Sequence, residues 1–142
     1  MSGYYPIFLD VRDRLAVVVG GGRVAARKVS GLVEAGARVR VVAPRLAAGL
    51  GAQEVQRRSY RRGDLKGAVL AFAATNDREV NHAVAAEARR RRIPVNVADS
   101  VEDCTFLVPA RLTRGPVQIA ISTSGKSPRL ARQLRQKLEA AL

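Results

Sequence analysis

The sequence has little of what disulfides, metal sites and membrane spans require. Cys104 is the only cysteine and His82 the only histidine among 142 residues, so we expect no internal disulfide and no preformed metal site. The longest apolar runs, such as Leu15 to Val19 and Val69 to Ala74, are far shorter than the ~20 residues of a membrane span. The N-terminus also has no basic stretch followed by an apolar one. We therefore expect a cytoplasmic protein without membrane contact.

Acidic residues are scarce as well. Asp and Glu total 12 against 25 Lys and Arg, a formal net charge of +13. Such a surface attracts polyanions, among them nucleic acids, nucleotide cofactors and multiply carboxylated metabolites. The arginine runs carry little aromatic interleaving and no recognition helix is evident, which argues against a nucleic-acid partner. A basic module that senses NAD(H) or binds nucleic acid is the alternative from a different functional class.

The first half of the chain alternates between strand and helix patterns. Leu15 to Val19 is a continuous apolar run that predicts a buried strand, and three glycines follow it. Apolar residues then recur with helical spacing from Val24, and Gly36 stands where a left-handed cap would end that helix. Val39 to Ala43 predicts the next strand. The segment is therefore one βαβ unit.

The alternation continues further along the chain. Val69 to Ala74 predicts a strand, an alanine-rich helix follows, and Pro94 to Val97 predicts another strand. This order predicts an α/β fold, a Rossmann-like parallel sheet with helices on both faces. Ligands of such sheets bind at the carboxyl ends of the strands. Three residues should therefore converge on one rim: Gly20, Thr75 and Asp99.

The pattern changes after Asp99. Thr105 to Val108 and Gln118 to Ser122 predict strands, and Ser127 with Pro128 predicts the start of a terminal helix. That helix has a narrow apolar seam, formed by Leu130, Leu134, Leu138 and Leu142. The seam must pack either on the sheet or on a partner subunit.

Gly20, Gly22 and Ala25 form the pattern G-x-G-x-x-A between the first strand and the first helix. Gly20 allows a tight turn, Gly22 lets a diphosphate approach the backbone, and Ala25 allows close packing of helix and strand. The helix N-terminus supplies free amides to the phosphates. Glycines at turns also occur for conformational reasons alone, but the strand before and the helix after favour a dinucleotide site.

The acidic residue that usually holds the ribose is missing from the end of the second strand. Ala43 occupies that place and is followed by Pro44 and Arg45. Either backbone groups hold the ribose of NAD, or Arg45 accommodates the extra phosphate of NADP.

Two further groups of polar residues are candidates for substrate chemistry. Asp99, close to Asn96, could act as general base beside a redox cofactor, or could only cap a turn. Hydroxyl residues and Lys126 precede the terminal helix, where they could bind carboxylates or simply cap the helix. His82 is expected to face solvent. Cys104 is expected to be a small buried hydrophobe rather than a nucleophile.

Several ordered blocks span nearly the whole chain. They are Pro6-Ile7-Phe8, Gly20-Gly21-Gly22 with Val24-Ala25 and Arg27-Lys28, Ala73-Ala74-Thr75-Asn76-Asp77, Asn96-Val97 with Asp99, Cys104-Thr105-Phe106 with Pro109-Ala110, and Ile119-Ala120-Ile121-Ser122-Thr123 with Gly125-Lys126-Ser127-Pro128. In these blocks the chain resembles the precorrin-2 dehydrogenase family, including the N-terminal part of multifunctional siroheme synthases.

The resemblance implies NAD-dependent oxidation of precorrin-2 to sirohydrochlorin in siroheme biosynthesis, with Asp99 as the catalytic residue. The alternative is a bifunctional enzyme that also inserts ferrous iron, as a ferrochelatase. Because the chain ends at Leu142 whereas many relatives continue, we expect dehydrogenation more than chelation. The substrate's carboxylates would also explain the net charge of +13.

The resemblance also assigns residues and a partner. The positions that match cofactor contacts are Gly20, Gly22, Arg23, Val24, Pro44, Arg45, Ala74, Thr75 and Asn76. The candidate substrate-binding residues are Asn96, Ser122, Thr123, Ser124 and Lys126. We expect residues 1–112 to form the NAD-binding Rossmann domain and residues 113–142 a short strand-helix segment that forms a homodimer.

Overall fold

The computed structural model describes residues 3–142, and these form two compact units. One unit is Ile7–Thr105, and the other comprises Phe106–Leu142 with residues 3–6. The division predicted at residues 112 and 113, and the dimerisation role of the second part, stay predictions.

The larger unit contains a five-stranded parallel sheet with strand order β3-β2-β1-β4-β5. Its elements are β1 (Leu15–Val19), α1 (Arg23–Glu34), β2 (Arg38–Val42), β3 (Glu54–Gln56), β4 (Leu70–Ala73), α2 (Arg78–Arg90), β5 (Val95–Val97) and a 3₁₀ turn at Val101–Asp103. All residues of β1, β4 and β5 are buried, as expected for strands covered on both faces.

The two helices of this unit cover opposite faces of the sheet. The connection from β1 to β2 leads one way along the sheet and that from β4 to β5 leads the other way, and parallel crossovers are right-handed. Helix α1 packs on β1 and β2, and α2 packs on β4 and β5. The predicted Rossmann-like fold is therefore confirmed. No helix within residues 3–142 is long and apolar enough to cross a membrane.

Gly36 ends α1 as predicted. It has φ +86°, its N–H donates to the Val33 carbonyl at 3.0 Å, and the Ala37 N–H donates to the Leu32 carbonyl at 3.0 Å. These two bonds form a Schellman motif, which satisfies the last carbonyls of the helix.

The prediction of a strand over Thr105 to Val108 is wrong. That segment has no strand pairing, and Thr105 together with the preceding Cys104 instead bonds to the edge of β5. Val95 N–H donates to the Thr105 hydroxyl at 2.8 Å, and Val97 N–H lies 3.1 Å from the Cys104 sulfur. These bonds satisfy the free edge of the sheet. The short strand β3 lies at the opposite edge of the sheet, and the sequence there shows no pattern that predicts a strand.

The smaller unit is an antiparallel hairpin with one helix packed against it. Strands β6 (Ala110–Arg114) and β7 (Val117–Ile121) pair with each other, and α3 (Pro128–Ala141) packs mainly on β6. The hydroxyl of Ser127 accepts from the Leu130 N–H at 3.1 Å, so the predicted N-cap is confirmed. The seam leucines of α3 are 37 to 64% exposed.

Candidate active site

The glycine turn after β1 is shaped by two close backbone approaches. Gly20 has φ +130°, and a Cβ atom there would lie 2.3 Å from the carbonyl oxygen of Ala74. A Cβ atom on Gly21 would lie 2.0 Å from the carbonyl oxygen of Arg45. Only glycine can pass between these neighbours. The turn therefore joins the end of β1 to the segments that follow β4 and β2.

Gly22, unlike Gly20 and Gly21, has no close neighbours. It is the N-cap of α1, no side chain caps the helix, and the first turn holds no acidic residue. A Cβ atom at Gly22 would meet nothing within 4 Å. The space beside the start of α1 is therefore open at Gly22, and an uncapped helix N-terminus of this kind binds phosphate groups. Arg23 and Val24 begin this helix, and Val24 is 44% exposed. The arrangement fits the diphosphate of a dinucleotide.

A cleft of about 570 Å³ extends along the carboxyl ends of β1, β2 and β4. The predicted cofactor residues that line it are Gly20, Gly22, Pro44, Arg45, Ala74, Thr75 and Asn76. Arg23 and Val24, the first two residues of α1, are not among the lining residues. Sequence reasoning missed Ser59 and Tyr60, which also line the cleft, as do Leu46, Ala47, Asp77 and Val80.

Asp99 lies in a smaller neighbouring cleft of about 220 Å³, which Arg78, Asn81 and His82 also line. Gly20, Thr75 and Asp99 follow the carboxyl ends of three neighbouring parallel strands, so the predicted common rim is confirmed, although Asp99 lines a different cleft from the other two. Strand β4 separates β1 from β5, and two strand spacings amount to roughly 10 Å.

Asn81 connects the two clefts. This residue of α2 is 2% exposed, and its Oδ1 accepts from the Thr75 N–H at 3.1 Å and from the Thr75 hydroxyl at 2.7 Å. Its Nδ2 donates to the Thr75 carbonyl at 3.1 Å and to Asp99 Oδ1 at 3.2 Å. Sequence reasoning missed Asn81, although it is polar at a position in helical register with the buried Val84 and Ala85.

A second buried polar residue of α2 supports the wall of the larger cleft. Glu87 is 1% exposed and accepts hydrogen bonds from the Tyr60 hydroxyl, from the backbone of Gly63 and Leu65, and from Arg91 Nε. Burial raises the pKa of Glu87, but these bonds outweigh it and leave the pKa below its usual value. Burial, and then the bond to Glu87, raise the pKa of Tyr60.

The predicted substrate residues occupy two different settings. Asn96 lies in β5 and is 8% exposed. The loop before α3 is held by local bonds: Ser124 N–H donates to the Ser122 hydroxyl at 3.1 Å, and Ser127 N–H donates to the Thr123 hydroxyl at 2.8 Å. Their substrate roles stay predictions, as does the role of Lys126.

His82 and Cys104 match their predicted settings. The His82 side chain is 76% exposed, with Nδ1 4.0 Å from Asp103 Oδ2. Cys104 is partly buried against the core, and burial is the main cause that raises the pKa of its thiol. Among residues 3–142, no group of three or more His, Cys, Asp or Glu side chains could hold a metal ion. Iron insertion stays a prediction.

The fold and the open helix N-terminus define the class, a dinucleotide-binding protein of the Rossmann type. Residues 7–110 match a family model described as "Putative NAD(P)-binding", and residues 114–141 match one described as "Sirohaem biosynthesis protein central". A solved structure titled SirC, precorrin-2 dehydrogenase, superposes with a TM-score of 0.83 at 34% identity, covering 98% of this chain and 71% of that one.

Longer relatives resemble the chain over part of their length. The siroheme synthase of Methylobacillus flagellatus is 49% identical over 140 residues, covering 94% of this chain and 30% of that protein. The siroheme synthase of Nitrosomonas europaea is 45% identical over 146 residues, covering 98% of this chain and 31% of that protein. The chain thus spans about a third of the length of these curated relatives.

The chain belongs to the NAD(P)-binding family of sirohaem biosynthesis that includes precorrin-2 dehydrogenase. The family resemblance predicted from the sequence blocks is therefore confirmed. The predicted NAD cofactor is confirmed at the level of this family, whose description covers NAD and NADP.

Proposed function

We propose that this chain is an NAD-dependent precorrin-2 dehydrogenase that forms sirohydrochlorin. The observation that carries the proposal is the Asn81 side chain, which joins Thr75, on the wall of the larger cleft, to the carboxylate of Asp99. A candidate base thus lies one side chain away from the edge of a cleft that fits a dinucleotide. Oxidation of the macrocycle releases a hydride and a proton, so it needs both an acceptor and a base.

The larger cleft would hold the cofactor. NAD, when bound, supplies the hydride acceptor. The residues proposed to bind it are Gly20, Gly22, Arg23, Val24, Pro44, Arg45, Ala74, Thr75 and Asn76. The open amides at the start of α1 would bind the diphosphate, while Pro44 and Arg45, which replace the usual acidic residue, would lie beside the ribose.

Asp99 would take the proton. Its side chain is 41% exposed, which leaves the carboxylate accessible to a substrate. Asn96, Ser122, Thr123, Ser124 and Lys126 are proposed to bind the substrate. Precorrin-2 carries many carboxylates, and the excess of 25 basic over 12 acidic residues would attract it.

One experiment tests this function directly. The protein is incubated with enzymatically generated precorrin-2 and either NAD or NADP, and the absorbance of the macrocycle and of the reduced nucleotide is followed. We expect sirohydrochlorin and NADH in equal amounts, with NAD preferred. No oxidation with either nucleotide would refute the proposal. A preference for NADP would instead favour the phosphate-binding role of Arg45.

We further propose that the protein acts in the cytoplasm as a homodimer, without nucleic acid. Leu130, Leu134 and Leu138 are 46, 38 and 37% exposed along one seam of α3, and burial of such a seam favours association. Sedimentation of the wild type and of Leu134→Glu tests this. We expect a dimer that the substitution dissociates, whereas a monomeric wild type would contradict the proposal.

A further inference from the structure

We propose that Asn81 is a positioning residue that fixes the Asp99 carboxylate relative to Thr75 at the cofactor cleft. The inference rests on the proposed function, in which Asp99 accepts the substrate proton. Asn81 itself transfers no proton and no hydride. Its side chain holds the carboxylate that accepts the proton.

The hydrogen-bonding capacity of the Asn81 side chain is fully used. A side-chain amide has two acceptor sites and two donor hydrogens. Thr75 N–H and the Thr75 hydroxyl, which also lies 3.0 Å from the Asp77 carbonyl, occupy the acceptor sites, while the Thr75 carbonyl and Asp99 Oδ1 take the two hydrogens. The residue is only 2% exposed, so water has little access to these bonds.

This pattern allows only one orientation of the amide. A rotation of 180° would place the NH₂ group against the Thr75 N–H and the amide oxygen against the Asp99 carboxylate. Both contacts would be repulsive, and an unsatisfied buried polar group costs about as much as a lost hydrogen bond. Thr75 therefore sets the direction in which Asn81 Nδ2 points, and Nδ2 in turn sets the position of Asp99 Oδ1.

The other charged neighbour of Asp99 constrains it less. Arg78 Nε lies 3.9 Å from Asp99 Oδ2, and the Arg78 side chain is 89% exposed. Exposed pairs of this kind contribute little. His82 and Asp103 also line the smaller cleft, but in the part of the chain that the structure describes neither forms a hydrogen bond with Asp99. Asn81 is thus the buried constraint on the carboxylate.

Asn81→Asp keeps the hydrogen bonds that the side chain accepts and removes those that it donates. The substituted carboxylate can still accept from the Thr75 N–H and hydroxyl. Without the Nδ2 donor, its second oxygen faces both the Thr75 carbonyl and the Asp99 carboxylate. We expect the Kd of NADH to stay within about threefold of wild type. We expect kcat to fall about 10- to 100-fold, the effect of losing one hydrogen bond to a charged group.

Titration of Asp99 provides a readout that simple destabilisation would not produce. Two neighbouring carboxyls share protons and titrate in coupled steps. In protein labelled with ¹³C at aspartate Cγ, the Asp99 signal, assigned by its loss in Asp99→Asn, should titrate in one step in the wild type. In Asn81→Asp it should titrate in two steps, the second at higher pH. Because a base must be deprotonated to act, the acidic limb of the kcat profile should move to higher pH with it.

Ala83→Asp is the matched control. It adds the same charge to the same helix at an exposed position, so it should keep the wild-type kcat and the single-step titration. Thermal melting is measured for each variant. If Asn81→Asp does not fold, Asn81→Ser takes its place, with the same fall in kcat expected and a rise of several-fold in the Kd of NADH, because the bonds to Thr75 are lost as well.

The outcomes separate this inference from the proposed function. A folded Asn81 variant with wild-type kcat and a single-step titration of Asp99 would overturn the positioning role. If the wild type itself does not oxidise precorrin-2, the proposed function fails, and the titrations of Asn81→Asp and Ala83→Asp still decide whether Asn81 controls the carboxylate. The positioning role is supported if Asp99 titrates in two steps in Asn81→Asp and in one step in Ala83→Asp.

Discussion

The hydroxyl of Tyr60, on the wall of the cofactor cleft, donates a hydrogen bond to Glu87 on the buried face of α2. Glu87 also accepts from the backbone N–H groups of Gly63 and Leu65, at 2.8 and 3.3 Å. One carboxylate therefore anchors the whole segment that carries Tyr60. Glu87 thus ties this part of the cleft wall to α2.

Glu87→Gln should lower the free energy of unfolding by about 1 to 3 kcal/mol, because the amide cannot replace the charge-assisted bonds of the carboxylate. Urea unfolding at pH 7 measures the change. Glu79→Gln is the matched control: it removes the same charge from the exposed first turn of α2, where we expect a loss below about 1 kcal/mol. Equal losses in the two variants would contradict the anchoring role.

The effect of Glu87 should also depend on pH. Its pKa is lower in the folded protein than the ordinary value of 4.5, so the unfolded chain binds the proton more tightly. The stabilisation is therefore complete above the unfolded pKa and is lost as pH falls through the folded pKa. The difference between wild type and Glu87→Gln should shrink below about pH 4.5. A difference that grows on acidification would contradict this sign.

Two glycines of the same turn should respond differently to substitution. Gly22→Ser adds a side chain where nothing lies within 4 Å and supplies a good N-cap, so the melting temperature should stay equal or rise. The side chain should obstruct the diphosphate and raise the Kd of NAD by about tenfold or more, ~1.4 kcal/mol.

Gly20→Ala serves as the comparison, since its Cβ atom would lie 2.3 Å from the Ala74 carbonyl oxygen. This variant should be destabilised by more than about 2 kcal/mol. Calorimetry of binding and of unfolding on both variants separates the effects. An unchanged Kd in Gly22→Ser would remove the α1 N-terminus from the cofactor site.

Arg92 occupies a position suited to glycine. It follows α2 with φ +58°, and Ile93 N–H donates to the Ala88 carbonyl at 2.8 Å, as in a Schellman motif. Arg92→Gly should therefore raise the free energy of unfolding by about 1 kcal/mol. Arg90→Gly, which removes the same charge within the helix, should instead lower it by roughly 0.5 to 1 kcal/mol. Chemical denaturation of both variants tests the contrast.

Local patterns were sufficient to predict the elements whose causes are local. The apolar run of β1, the glycine turn, the cap at Gly36 and the N-cap at Ser127 all follow from a few consecutive residues. Each was confirmed within one or two positions.

The features that sequence analysis missed depend on residues distant in the chain. Thr105 was predicted to lie in a strand, yet its hydroxyl accepts from Val95 across ten positions. The sequence does not reveal which residues Asn81 and Glu87 bond to. It shows only that both are polar residues on an apolar helix face. The separation of Asp99 from the glycine turn follows from the strand order, which a pattern of elements does not fix.

The most direct test of the central claim compares Asp99→Asn with the wild type in two assays. NADH binding, followed by fluorescence, should keep its affinity because Asp99 does not line the larger cleft. Oxidation of precorrin-2 with NAD should fall about 100-fold or more, since the amide cannot accept the proton. Wild-type turnover in Asp99→Asn would contradict the assignment of Asp99 as the base.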